Sequence, residues 1–193
     1  MKDGSLIPWG KGPRPSDQAI IMAKKSGGIL LFKTSGAKLL VFLAHPGGPF
    51  WAKKDEGSWS IPKGEFSDDE DGLTAARREF SEEIGQNMEG KFIELTPCRQ
   101  PSRKIIHAWA VEGDIDESSV KSNEFEMEWP PKSGKKQSFP EVDRGAWFPV
   151  EEAKKRIQSG QLPILEELMR VLGIKDDASA QRPVKTKSQG ELF

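Results

Sequence analysis

The chain has 193 residues, of which 35% are hydrophobic, and its formal net charge at pH 7 is −1. A length and composition of this kind are ordinary for one globular domain with some additional chain, and they exclude wholesale disorder. The near-zero net charge provides no bulk field for nucleic acid or for an anionic membrane, so neither is expected as a partner.

Cysteine content and hydropathy limit the compartment and the type of metal site. The single cysteine, Cys98, excludes an internal disulfide framework and a cysteine-based zinc site, and it is typical of a reducing compartment. No apolar run approaches the roughly 18 residues that span a bilayer. Residues 1–17 contain no apolar stretch of the secretory kind. We therefore expect a cytoplasmic protein, whose oligomeric state the sequence leaves open.

The first predicted elements form a hairpin. Residues 1–17 are rich in proline, glycine and charge, which predicts a flexible N-terminal arm. Two apolar runs at residues 28–33 and 39–44 predict strands that residues 34–36 join in a turn. Residues 45–58, with their glycines and prolines, predict a loop. A short extended segment is predicted for residues 59–62.

The clearest helix is predicted between Asp71 as its N-cap and Gly85 as its C-terminal stop. Apolar residues recur at helical spacing between these two positions and predict one buried stripe. The members of this stripe are Leu73, Ala76, Phe80 and Ile84.

The rest of the chain alternates between strand and helix patterns. Strands are predicted at residues 92–97, 104–111, 123–129 and 144–148, and residues 130–139 are predicted as a loop. Helices are predicted at residues 150–157 and 163–172, with Gly160 and Gly173 as their stops. Residues 174–193 are polar and aperiodic, which predicts a disordered tail. Strands interleaved with a few helices indicate an α/β sandwich built on mixed sheets.

The acidic residues are concentrated around the clearest helix. Residues 65–94 hold ten acidic and three basic side chains, a local charge of −7, so the remaining chain carries +6. Glu79, Glu82 and Glu83 share one side of the helix, where like charges repel and raise each other's pKa. Carboxylates at this spacing suit a hard cation such as Mg²⁺ or Mn²⁺. On the helix pattern alone, a solvated acidic face remains the alternative.

The sequence from residue 64 to residue 86 resembles the Nudix box, G-x5-E-x7-R-E-U-x-E-E-x-G-U, in which U is a bulky apolar residue. Only the last position departs, because Gln86 stands where an apolar residue is usual. Seven fixed identities at fixed spacing would arise by accident in about one chain in a million. The matching residues are Gly64, Glu70, Arg78, Glu79, Phe80, Glu82, Glu83 and Gly85.

The resemblance implies a Nudix-type α/β/α sandwich with a mixed sheet over residues 18–173. It implies a Mg²⁺- or Mn²⁺-dependent pyrophosphohydrolase, in which water attacks phosphorus in a nucleoside diphosphate or polyphosphate linked to another moiety. The metal would be bound by the carbonyl of Gly64 and by Glu79, Glu82 and Glu83, hereafter the box glutamates. Glu82 and Glu83 would also take part in catalysis. Glu70 and Arg78 would support the loop and the helix of the site.

A further glutamate outside the box often acts on the metal or on the attacking water in this family. Glu128 is the expected catalytic residue of this kind, and Glu141 is the second candidate. Glu124, Glu126 and Glu128 alternate along one predicted strand, so all three share a face. Ordinary surface positions are an equally good interpretation of each of these glutamates.

Substrate contacts are less clearly indicated by the sequence. Lys63 directly precedes Gly64 and is placed to meet a phosphate. Lys53, Lys54, Arg103 and Lys104 are weaker candidates, for which plain surface positions are the better interpretation. Trp51 and Trp59 are of the type that stacks nucleobases, although packing in the core is the commoner role of such residues.

The resemblance leaves the branch of the family and the activity open. Residues 59–64 and the loop at residues 45–58 look more like the diadenosine tetraphosphate hydrolase branch than like the nucleotide triphosphatases. A non-catalytic Nudix domain that senses nucleotides or binds a protein is the alternative, although such domains usually lose box glutamates. A diphosphate isomerase of the same fold is the third reading, and no cysteine near the box supports it.

Overall fold

The computed structural model describes residues 24–36 and 38–175, so the predicted arm at residues 1–17 and nearly all of the predicted tail lie outside them. Its helices are α1 (Gly72–Ile84), α2 (Val150–Arg156) and α3 (Leu162–Val171), with short 3₁₀ turns at Glu117–Ser119 and Ser159–Gln161. Its strands are β1 (Lys25–Ser35), β2 (Lys38–Pro46), β3 (Lys63–Phe66), β4 (Ile93–Glu94), β5 (Cys98–Arg99), β6 (Ile105–Glu112), β7 (Glu124–Glu128), β8 (Lys136–Pro140) and β9 (Val142–Pro149).

A mixed sheet forms the centre of the fold. Its main path runs β4-β6-β1-β2-β9, with β3 paired to β1 and β5 paired to β6. The β1–β6 pair is parallel and its neighbouring pairs are antiparallel. Successive side chains of β1 point to opposite faces of the sheet, and both faces are buried. Ile29 and Leu31 pack on the α1 side, whereas Leu30 and Phe32 pack on the side of α2 and α3. The predicted α/β/α sandwich is therefore confirmed.

The first hairpin forms as predicted, and its strands extend beyond the apolar runs. Phe32 pairs with Val41 and Ser35 with Lys38 in antiparallel register. The predicted strand at residues 92–97 is shorter than expected: it contains only β4, and β5 begins just beyond it. Pro97 has no N–H to donate to a ladder, so strand pairing stops before it and resumes at Cys98.

The prediction of a loop throughout residues 130–139 was wrong. Its second half forms β8, which pairs with β7 in a separate two-stranded sheet. Prolines, a glycine and polar residues concealed the strand in the sequence. Cross-strand contacts stabilise it: the rings of Phe125 and Phe139 lie 6.2 Å apart, and Ser138 donates to Glu124 at 2.7 Å.

The helix of the box begins and ends at the predicted residues. Asp71 accepts a hydrogen bond from the Thr74 N–H at 2.9 Å, as an N-cap does. Gly85 ends the helix with φ = 79°, a left-handed conformation that glycine adopts without strain. Ala76, Phe80 and Ile84 are fully buried against the sheet, and Glu79 and Glu83, which flank this stripe, meet β3. Among the described residues, no helix combines the length and the hydropathy that crossing a membrane requires.

Candidate active site

The two ends of the box are brought together by the pairing of β3 with β1 and the packing of α1 on the same sheet. Gly64 lies on β3 opposite Gly27, and the Glu79 carboxylate of α1 lies directly against it. A Cβ at residue 64 would stand 1.8 Å from Oε2 of Glu79. Glycine at this position therefore lets a helix carboxylate contact the strand backbone.

Arg78 connects the loop before α1 to the acidic face of α1. Its Nε and Nη2 donate to the two carboxylate oxygens of Glu70 at 3.1 and 3.2 Å. Its Nη1 donates to Glu79 at 2.6 Å and lies 3.3 Å from Glu82. These hydrogen bonds, chiefly those to Glu70, raise the pKa of the guanidinium. The supporting role predicted for Glu70 and Arg78 thus has a geometric basis in a bidentate pair.

This arrangement predicts that Arg78→Lys impairs the protein although the charge is kept. A lysine cannot form the planar two-point bond to Glu70 while also reaching Glu79. We expect roughly a tenfold loss of kcat/KM, and a loss of about 1 kcal/mol in the free energy of unfolding because the pair is partly exposed. Arg77→Lys is the matched control, since its partner Glu89 is exposed outside the cluster. Denaturant titration and turnover measurements check this. Equal effects in the two variants would contradict a role for Arg78 in holding the loop and the helix of the site together.

Glu83 is the most buried carboxylate of the box. It accepts a hydrogen bond from the Lys63 N–H at 2.9 Å, which places it beside the strand that carries Gly64. Burial raises the pKa of Glu83 to about 7, against the opposing effects of the Lys63 charge and this hydrogen bond. The nearby charges of Glu79 and Glu141 raise it further.

Burial also raises the pKa of Glu79, and the charges of Glu82 and Glu141 add to this effect while Arg78 opposes it. Glu79 and Glu83 are thus carboxylates with raised pKa values beside further acids. A nearby cation would favour their charged forms. The available donors are carboxylate oxygens and the Gly64 carbonyl, a set of hard ligands that fits Mg²⁺ or Mn²⁺. The chemistry of these donors therefore matches the expected cofactor.

The candidate ligands are not arranged as a finished metal site. Within residues 24–36 and 38–175, no three histidine, cysteine, aspartate or glutamate side chains converge on a common coordination point. Arg78 holds Glu79 and Glu82, and the Lys63 N–H holds Glu83. To bind a cation, these carboxylates would have to exchange part of their hydrogen bonding for metal coordination.

Lys63 lies where the sequence places it, beside the box glutamates. Its side chain is mostly shielded from solvent, and this burial lowers the pKa of its ammonium group. The charges of Glu83 and Glu79 oppose that shift, whereas the charge of Lys104 adds to it. The charge of Lys63 thus interacts both with the acidic cluster and with Lys104.

The two candidate glutamates outside the box have different surroundings. Glu141 is exposed at the start of β9, and its charge acts on both Glu79 and Glu83. Its backbone is fixed on both sides, because its N–H donates to Asn123 and its carbonyl accepts from Gly47. Glu128 lies on β7, and its Oε1 accepts from the Gly134 N–H at 2.8 Å in the hairpin turn. The electrostatic interactions of Glu141 with Glu79 and Glu83 therefore favour it over Glu128 as the further carboxylate near the box.

The predicted loop at residues 45–58 is anchored by His45, which is fully buried. Its Nε2 donates to the Lys54 carbonyl and its Nδ1 contacts the Asp143 carboxylate, both at 2.8 Å. Trp59 belongs to the core and donates its indole N–H to Asp55 at 2.8 Å. Packing in the core is thus the correct interpretation of Trp59.

An exposed aromatic residue in this loop was missed by sequence reasoning. Phe50 is 56% exposed, and its ring meets that of Trp129 edge-to-face at 5.3 Å. Trp51 is half-buried, with the Lys54 ammonium group 4.5 Å from its ring centroid. In the sequence, Phe50 was indicated only by its place in a predicted loop, after a Pro-Gly-Gly-Pro segment and before Trp51.

Comparisons with known proteins agree with this geometry. The chain matches the NUDIX domain family over residues 19–168. No curated protein sequence matches the chain significantly.

Three solved structures of the same fold are each less than 20% identical to this chain. The Caenorhabditis elegans Ap4A hydrolase in a binary complex is 18% identical, with a TM-score of 0.54, 77% of this chain covered and 98% of the other. The NUDIX domain of Shewanella oneidensis NrtR, complexed with ADP ribose, is 14% identical, with a TM-score of 0.55 and coverages of 83% and 94%. The C-terminal domain of mouse MUTYH, complexed with human PCNA, is 12% identical, with a TM-score of 0.51 and coverages of 83% and 100%.

Proposed function

Because the chain belongs to the NUDIX domain family and is a hydrolase acting on phosphorus-containing acid anhydrides, we propose that its substrate is a nucleoside diphosphate or polyphosphate linked to another moiety. We further propose that hydrolysis depends on Mg²⁺ or Mn²⁺. The observation that carries this proposal is the meeting of two box carboxylates with β3, where Glu79 lies against Gly64 and Glu83 accepts from the Lys63 N–H.

The box glutamates and the Gly64 carbonyl are the groups that would hold the cation. When bound, a divalent cation supplies positive charge that neutralises the phosphoryl oxygens of an anionic substrate. Lys63 adds a positive charge that interacts with Glu83 and Glu79, and Arg78 keeps Glu79 and Glu82 on one side of α1. These residues orient a diphosphate so that one phosphorus is open to water.

A proton must leave the water as it attacks phosphorus, and a carboxylate is the natural acceptor. The charge of Glu141 acts on both Glu79 and Glu83, and we assign Glu141 the role of taking that proton. Glu128 is the second candidate and is held by the hairpin turn. Phe50 and Trp129 offer an aromatic surface on the neighbouring loop and hairpin, of the type on which nucleobases stack.

A non-catalytic nucleotide sensor or protein-binding module is the alternative function. Two proteins of the same fold illustrate it, one complexed with ADP ribose and one complexed with PCNA. This chain keeps Glu70, Arg78 and all three box glutamates. Arg78 donates hydrogen bonds to Glu70, Glu79 and Glu82, and the charge of Glu79 acts on Glu83. That complete set supports hydrolysis over binding alone.

A phosphate-release panel tests the proposal with the full chain and Mg²⁺ or Mn²⁺. Diadenosine polyphosphates come first, followed by ADP-ribose, nucleoside triphosphates, diphosphoinositol phosphates and capped RNA. We expect turnover of at least one class, and loss of that turnover when EDTA removes the cation. Full activity in EDTA would contradict metal dependence, and absence of turnover on every class would favour the binding module.

A further inference from the structure

Strand β9 contains a one-residue bulge beside the loop that follows β2. His45 of β2 pairs with Arg144 of β9. The next residue of β2, Pro46, pairs with Val142, so Asp143 is the extra residue of β9. Bulges bend a strand and re-aim its side chains, and they are over-represented next to active sites.

The bulge changes the side of the sheet that the start of β9 faces. Side chains alternate along a regular strand, so residues 142 and 147 would lie on opposite faces. Val142 is nevertheless buried in the cluster on the α1 side, against which Trp147 also packs. The extra residue therefore brings Val142, which directly follows Glu141, to the α1 side of the sheet.

His45 and Asp143 hold this bulge together. The His45 Nδ1 meets the Asp143 carboxylate and its Nε2 donates to the Lys54 carbonyl, both at 2.8 Å. Since a carboxylate and a carbonyl only accept, the ring makes both bonds when each nitrogen carries a hydrogen. His45 is fully buried, whereas the Asp143 side chain is 26% exposed. The buried ring thus fixes the bulged residue against β2 and against the loop that follows it.

Backbone hydrogen bonds connect the bulge to the box helix. Glu141 accepts from the Gly47 N–H through its carbonyl and donates its own N–H to the Asn123 carbonyl, both at 2.9 Å. The Asn123 N–H in turn donates to the carbonyl of Glu82 at 3.0 Å. A Cβ at Gly47 would stand 2.0 Å from the Pro140 carbonyl oxygen, so this close approach requires glycine. Glu141 therefore lies between the bulge and α1, connected to both through the backbone.

We propose that the His45–Asp143 pair positions Glu141 as the acceptor of the proton of the attacking water. The inference rests on the proposed function, in which Glu141 has that role. His45 and Asp143 are positioning residues: they hold the bulge, and the bulge fixes the backbone at Glu141. Misplacement of a reacting group by about 1 Å can cost about 100-fold in rate, so a small relaxation of the bulge should be visible in kcat.

Two substitutions of His45 separate the two bonds of its ring, with the substrate class that the phosphate-release panel identifies. The amide nitrogen of asparagine stands as far along the side chain as Nδ1, and that of glutamine as far as Nε2. His45→Asn can therefore keep the bond to Asp143, whereas His45→Gln keeps only the bond to Lys54. We expect kcat to fall about tenfold in His45→Gln and about twofold in His45→Asn, with KM little changed. Asparagine leaves the larger void, so a purely structural role predicts the opposite order.

Asp143→Ala breaks the pair from its partly exposed end and spares the buried ring. We expect kcat to fall about tenfold, and to fall less than about twofold when the same change is made in a Glu141→Gln background, because the effect acts through Glu141. Asp55→Ala is the matched control, since Asp55 accepts from the Trp59 indole at the other end of the same loop. Its kcat should stay within about twofold of the wild type.

Hydrogen exchange in the full chain tests the same positioning without turnover. The N–H groups of Gly47 and Glu141 should exchange about fivefold faster in Asp143→Ala than in Asp55→Ala. Unchanged protection of both groups, a kcat loss that persists in the Glu141→Gln background, or the reverse order of the two His45 variants would overturn the proposal. An active enzyme without these effects rejects only the positioning pair, whereas a protein inactive on the whole panel rejects the proposed function.

Discussion

Glu83→Gln should abolish hydrolysis and, in the metal-free protein, increase stability at neutral pH. The amide keeps the shape of the side chain, and its oxygen can still accept the Lys63 N–H. It removes a negative charge that would help to hold the cation on which substrate binding depends. We expect turnover to fall by about 10³-fold or more, in the range found when a group with a transition-state role is removed.

The stability effect follows from the raised pKa of Glu83. The folded protein binds the proton of Glu83 up to about pH 7, whereas an unfolded chain releases it near the ordinary glutamate value. Between these two values the folded state holds more protons, so the free energy of unfolding falls as pH rises. A neutral glutamine escapes this loss. The variant should exceed the wild type by about 2–3 kcal/mol at pH 8 and by little near pH 4.5.

Denaturant titrations in EDTA across this pH range provide the measurement, with circular dichroism to confirm the fold. Glu89→Gln is the control, because Glu89 belongs to the same acidic segment and is 81% exposed on its side chain. Its stability should follow the wild type at every pH. A Glu83→Gln variant whose stability advantage does not grow with pH would show that Glu83 carries no raised pKa. Retained turnover would remove Glu83 from the site.

The sequence predicts best where local signals and packing agree. Asp71, Gly85 and the apolar stripe of α1 were predicted because capping and helical periodicity act within one short segment. The two strands of the first hairpin are predictable for the same reason. The spacing of the box likewise indicates the side of α1 on which Glu79, Glu82 and Glu83 lie, because that depends only on the helix.

Features that depend on distant pairing were not predictable. β8 exists because β7 provides a partner edge, and nothing in Lys136–Pro140 is strongly strand-forming by itself. Glu128 and Glu141 look alike in the sequence, and only the fold separates a hairpin-turn acceptor from a carboxylate whose charge acts on Glu83.

The difference between these two glutamates leads to the second large effect. Glu141→Gln should lower kcat by roughly 10²–10³-fold, as expected when a carboxylate that accepts the proton of the attacking water is removed. KM should change little, because Glu141 is not placed to hold the substrate. Its backbone contacts with Asn123 and Gly47 do not involve the side chain, so the fold should remain intact.

Glu128→Gln provides the matched control from the same class of residue. Its amide oxygen can still accept the Gly134 N–H, so the hairpin turn should persist and kcat should stay within about twofold of the wild type. Steady-state kinetics at several pH values distinguish the two roles, because loss of a proton acceptor also removes the acidic limb of the kcat profile. If Glu128→Gln instead shows the large loss, the hairpin carboxylate must reach the water in the complex. In that case Glu141 contributes only its charge to the box glutamates.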